Sequence, residues 1–109
     1  MIRVTVYRRS ADKTLRGLLV KGHAGYAEFG KDIVCAGVSA LVTNLVNSIE
    51  AYTDEDIVVR TDEESGMIAM KFRNRPEHDA VLLTDACILG LKAIQRENRK
   101  YVRLLFKEV

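Results

Sequence analysis

Apolar and polar residues alternate at the start of the chain, with Ile2, Val4 and Val6 separated by Arg3, Thr5 and Tyr7. A period of two predicts a half-buried strand. The polar run Ser10-Ala11-Asp12-Lys13 reads as a turn, and Leu15 to Lys21 as a second strand, the other arm of a hairpin. From about Cys35 the period lengthens. Val38, Leu41, Val42, Leu45, Ile49 and Tyr52 fall three and four apart, one apolar stripe on a helix, with Ser39, Thr43, Asn47 and Glu50 on its other side. Ile57 to Arg60 and Met67 to Phe72 read as two more strands about the charged turn Asp62-Glu63-Glu64-Ser65-Gly66. Pro76 suits the first turn of a second helix, and Glu77 and Asp79 favour its positive end. Leu83, Cys87, Gly90 and Ile94 form its stripe, while Leu82, Ile88, Leu89 and Leu91 add apolar surface beyond one face. Asn98 ends that helix, and Tyr101 to Lys107 is a last strand with Val102, Leu104 and Phe106 pointing inward. The order ββαββαβ predicts an α+β fold, two helices packed on a mostly antiparallel sheet. No repeat, linker or low-complexity tract interrupts residues 1–109, so a single domain is expected.

Composition narrows the classes. Apolar residues make up 48% of the chain, enough for a core, although a domain of 109 residues is small and its surplus apolar helix surface calls for further burial. A net charge of +2 gives no strong pull toward nucleic acid or a membrane surface. No run of about 18 apolar residues is present, so no membrane span is expected. The N-terminus lacks the apolar core of a signal peptide, which makes the cytoplasm the expected location. In that reducing compartment Cys35 and Cys87, placed on different helices, are not expected to form a disulfide. Two cysteines and two histidines never approach metal-ligand spacing, so neither a metal nor another cofactor is expected.

The segment from Gly22 to Lys31 fits neither period. It holds Gly22, Gly25 and Gly30, the aromatics Tyr26 and Phe29, and His23, and reads as a mobile loop running to about residue 34. Cys35 stands where this loop becomes helix. The first N–H groups of a helix carry partial positive charge, which would lower a thiol pKa there, and the N–H groups of Cys35 and Ala36 could receive an oxyanion. His23 closes the second strand, and the loop is long enough to bring its imidazole back to the thiol as proton acceptor. Asp32 could orient that imidazole or cap the helix. Ser39, one turn after Cys35, shares its face and could hydrogen-bond in the site. The glycines Gly22, Gly25 and Gly30 would let the loop open around a peptide chain, and Tyr26 and Phe29 could line a pocket for it.

Each residue also has a plain structural reading. A cysteine at a helix start is commonly a small buried apolar residue. A histidine beside glycine is commonly a loop residue, an aspartate before a helix a cap, and a serine within one solvated or bonded to the preceding turn. Tyr26 and Phe29 could equally anchor the loop on the core. Cys87 lies on an apolar stripe and reads as core, and His78 as an exposed surface residue. The glycine-rich stretch lacks the ending of a phosphate-binding loop.

The blocks Gly22-His23-Ala24-Gly25-Tyr26-Ala27 and Asp32-Ile33-Val34-Cys35-Ala36-Gly37-Val38-Ser39, at this spacing, resemble the bacterial ribosomal-processing cysteine protease family, usually called Prp. The likeness extends over the length and element order of the chain. It implies His23 and Cys35 as the family's histidine and nucleophile, with Asp32 and Ser39 as the matching residues around them. It further implies thioester acyl transfer that removes a short N-terminal extension from large-subunit ribosomal protein twenty-seven, cut after an aromatic residue, by a homodimer. The competing class is a non-enzymatic ribosome-associated binding module with Cys35 structural. In that class, too, the near-neutral charge speaks against direct nucleic-acid contact, although Arg96, Arg99, Lys100 and Arg103 cluster near the C-terminus.

Overall fold

In the computed structural model, residues 1–28 and 32–109 are described. Seven elements follow one another: β1 (Ile2–Arg8), β2 (Leu15–Lys21), α1 (Ile33–Tyr52), β3 (Ile57–Asp62), β4 (Met67–Phe72), α2 (His78–Glu97) and β5 (Val102–Glu108). The predicted ββαββαβ order holds. The five strands form one sheet in the order β3-β4-β2-β1-β5, antiparallel except where β1 and β5 run parallel.

Register explains where the core lies. Val4 pairs with Val20 and Leu104, Val6 with Leu18, and Leu18 with Met70, so one face of the pleat collects the apolar side chains of four strands. The helices cover that face. From α1, Val34, Val38, Val42, Leu45, Val46 and Ile49 are buried, and from α2, Ala80, Thr84, Cys87, Ile88 and Leu91. By length and composition α1 is apolar enough to cross a bilayer; here that apolar character lies in its buried stripe, which joins the core under the sheet. Where the helices meet, side chains are small: a Cβ on Gly90 would come within 2.9 Å of a Leu41 methyl.

Several expected boundaries shift, each for a local reason. α1 starts at Ile33 rather than at Cys35, because Asp32 caps it. α2 starts at His78, with Glu77 as its cap residue, so Pro76 precedes the helix instead of opening its first turn. Tyr52, placed on the α1 stripe by spacing alone, is 78% exposed at the helix end. Phe106 keeps the inward register opposite Val6 but is 55% exposed, with the Lys92 ammonium over its ring. Leu82 and Leu89 of α2 are likewise exposed. Cys87 is buried as expected, its thiol 3.6 Å from the Leu41 carbonyl oxygen, and burial pushes its pKa up to about 11.

The site depends on the pairing of β2 with β4. Val20 opposite Ile68 brings the end of β2 beside the β3–β4 turn, where the Gly22 N–H donates to the Ser65 carbonyl oxygen at 3.0 Å. The same sheet carries α1, whose first turn holds Cys35. Ile49 is fully buried beneath that helix. Ile49→Ala should therefore cost about 2–5 kcal/mol of stability in urea unfolding; a loss below about 0.5 kcal/mol would contradict the burial of α1 described here.

Candidate active site

One cleft of about 630 Å³ runs between the start of α1, the end of β2 and the β3–β4 turn. Its lining includes His23, Asp32, Cys35 and Ser39, together with Gly22, Gly25 and Ala36. Eleven residues of intervening chain thus do not keep the imidazole and the thiol from sharing one cavity. Cys35 is partly buried and unpaired with Cys87.

Asp32 organises the helix end. Its Oδ1 accepts from the N–H groups of Val34 and Cys35 at 2.9 and 3.0 Å. Its Oδ2 accepts from those of Tyr26 and Ala27 at 3.0 and 3.4 Å. Burial opposes its charge, but the N–H groups of Cys35, Tyr26, Ala27 and Val34 outweigh that and hold the carboxyl below its ordinary value. Of the two roles open in the sequence, this carboxylate takes the cap, and adds a second function as the fastener between loop and helix.

That bonding corrects two expectations. The Cys35 N–H donates to Asp32 Oδ1, and the Ala36 N–H to the Asp32 carbonyl oxygen at 3.0 Å, so neither assigned oxyanion donor is open. The Cys35 thiol is also raised rather than lowered. Burial is the largest cause, the Ala24 N–H works against it, and the Asp32 carboxylate adds to the rise. A helix N-terminus lowers a thiol pKa when its positive charge is unmatched; here a buried carboxylate already matches it. The donor that does reach the sulfur lies outside the helix: the Ala24 N–H points to Cys35 Sγ at 3.1 Å.

His23 is held from a direction the sequence did not suggest. Its Nε2 lies 2.8 Å from the main-chain oxygen of Glu64 in the β3–β4 turn. Thr61, Asp62, Glu63, Met67 and Ile68 complete that wall, with Ile2 and Val20 beneath. Sequence reading assigned the 62–66 segment only a turn, because nothing in local pattern states that β4 pairs with β2. Ser39 lies exposed on the cleft wall and forms no side-chain hydrogen bond among the described residues. Tyr26, a candidate pocket residue, is not part of the lining; its ring meets Tyr101 edge-on at 5.3 Å, so it anchors the loop. Phe29, the other pocket candidate, and the loop glycine Gly30 lie outside the described residues.

A thiol and an imidazole on one open cleft are the equipment of a cysteine hydrolase. Known proteins narrow that class. The chain matches the family model for cysteine protease Prp over residues 1–103. It is 34% identical over 108 residues to the ribosomal processing cysteine protease Prp of Bacillus subtilis strain 168, covering 95% of this chain and 96% of that protein. To the protein of the same name from Staphylococcus aureus strain Mu50 it is 31% identical over 90 residues, covering 83% and 85%. Its fold matches a crystal structure of the S. aureus ribosomal processing protease Prp, in complex with a covalently linked product peptide, at a TM-score of 0.90 and 29% identity, over 98% of this chain and 100% of that one. The chain belongs to the Prp family of cysteine proteases.

Two outcomes follow from Asp32. Its folded pKa is depressed, so its contribution to stability is present above the unfolded carboxyl pKa and is lost as pH falls through the folded one. Asp32→Ala should be less stable near neutrality by about 0.5–2 kcal/mol, and the gap should shrink as the medium is acidified through the carboxylate range. Urea curves that stay parallel at all pH values would refute the carboxylate's role. Alkylation of Cys35 by iodoacetamide, followed by mass, should have a midpoint above the ordinary thiol range, and Asp32→Ala should move that midpoint down; a wild-type midpoint below neutrality would contradict the partly buried thiol beside a carboxylate.

Proposed function

We propose that this protein is an endopeptidase that removes a short N-terminal extension from a large-subunit ribosomal protein, with Cys35 as nucleophile and His23 as base. The observation that carries the reading is the shared cleft of these two side chains, open enough for an extended peptide. The B. subtilis and S. aureus relatives are named for ribosomal processing, and the S. aureus structure is a complex with a covalently linked product peptide.

The raised thiol favours a sequence in which proton removal accompanies attack. His23 takes the Cys35 proton as Sγ adds to the scissile carbonyl. The Ala24 N–H, already directed at the sulfur, is the donor best placed for the oxyanion. The imidazolium then protonates the leaving amine and the thioester remains on Cys35. Water, deprotonated by His23, hydrolyses it. Ile2, Val20, Met67 and Ile68 supply an apolar wall suited to the aromatic residue before the cut, and Ser39 offers a hydroxyl to the peptide. A second copy of the chain is the partner that the exposed Leu82 and Leu89 suit, and the cytoplasm, where ribosomal proteins are made, is the place of action.

Incubation with a peptide spanning an extended ribosomal-protein N-terminus, with mass detection, tests the proposal. Wild type should cleave at one bond after an aromatic residue. Cys35→Ser should keep the fold and lose cleavage, and His23→Ala should lose about 10²–10⁴-fold in turnover. A peptide that binds without being cut would instead support the non-enzymatic binding module.

A further inference from the structure

We infer that the main-chain carbonyl of Glu64 is the positioning group for His23: it accepts the Nε2 proton, selects one tautomer of the neutral ring and leaves Nδ1 as the atom that exchanges a proton with Cys35. The inference rests on His23 as the base in the function proposed above. Its geometric core is the 2.8 Å separation between Nε2 and the Glu64 oxygen. A carbonyl oxygen has no proton to give, so this bond requires a proton on Nε2. In the neutral imidazole the basic lone pair then resides on Nδ1.

The turn that presents this carbonyl is built to hold its place. The Gly22 N–H donates to the Ser65 carbonyl at 3.0 Å, tying the residue before His23 to the residue after Glu64. Ser65 Oγ donates to Asp62 Oδ2 at 2.9 Å, and the Gly66 N–H to the Glu63 carbonyl at 3.2 Å, which brace the turn from within. Gly66 has φ +71°, and a Cβ there would lie 2.4 Å from the Gly22 oxygen and 3.2 Å from His23 Cε1. Backbone atoms of Glu64, Ser65 and Gly66 thus each lie against His23 or Gly22. Both Asp32 oxygens are bonded to N–H groups of the loop and helix, so that carboxylate is committed to the cap and the loop.

In the reaction the S–H bond of Cys35 breaks as the Nδ1–H bond forms, giving thiolate and imidazolium. The Nε2–H bond to Glu64 persists in both states and strengthens once the ring is charged. The proton returns from Nδ1 to the leaving amine, so no proton passes to the carbonyl.

Nitrogen NMR on protein labelled at histidine decides the tautomer directly, at a pH high enough to leave the ring neutral. With His78 assigned by His78→Gln, His23 should show a protonated Nε2 and an unprotonated Nδ1. The reverse pattern overturns the inference. A second chain carries an ester in place of the Glu64–Ser65 peptide bond, which weakens the Glu64 carbonyl as an acceptor without changing any side chain. It should show a smaller share of the Nε2–H form and about tenfold lower kcat with KM little changed. An unchanged tautomer ratio with unchanged kcat would refute the positioning role. If the ester chain fails to fold, the wild-type spectrum alone decides. Peptide cleavage by wild type tests the protease reading separately, since the nitrogen signals report the carbonyl's role whether or not a given peptide is cut.

Discussion

A single buried carboxylate joins the two halves of the site. Asp32 bonds the N–H groups of Val34 and Cys35 on the helix and those of Tyr26 and Ala27 on the loop. A charge buried to this degree is tolerated only with several hydrogen bonds, and the four donors supply them. Through it the position of Cys35 and the path of the chain after His23 become one geometric problem. If this anchor let go, the helix would lose its cap and the loop its hold on the helix together.

The same anchor sets the electrostatics around Cys35. A helix N-terminus is a ready stabiliser of thiolate, but its field acts on whichever anion is closest and best bonded. Here that anion is the carboxylate. The sulfur is left with burial and a neighbouring negative charge, offset in part by the Ala24 N–H. Burial and that negative charge both favour the neutral thiol over the thiolate. The imidazole that shares the cleft is placed by the sheet.

The opposite wall of the cleft shows how. His23 is the second residue beyond β2, and its ring is met by a turn 41 positions further along. Two glycines with positive φ, Gly22 at +88° and Gly66 at +71°, let these backbones approach to hydrogen-bonding distance. Main-chain amide and carbonyl groups of the turn make this approach, to the Gly22 N–H and to the His23 ring.

The sequence by itself determined the element order, the α+β class, and the residues His23, Asp32, Cys35 and Ser39, all of which line one cleft. Strand and helix periods are local, and so is the pairing of a cap residue with a helix start, which is why these were legible. Tertiary structure decided the rest. Whether Tyr26 faces a substrate or Tyr101 depends on the turn between α2 and β5, remote in sequence. Whether Tyr52 and Phe106 are covered depends on where the sheet and helices end. The partner of His23 depends on β2 pairing with β4, and the fate of the helix N–H groups depends on how the loop folds back onto Asp32. A hydrogen bond between main-chain atoms leaves no residue type behind to read, and a pKa reflects the balance of burial against neighbours that only assembled coordinates define.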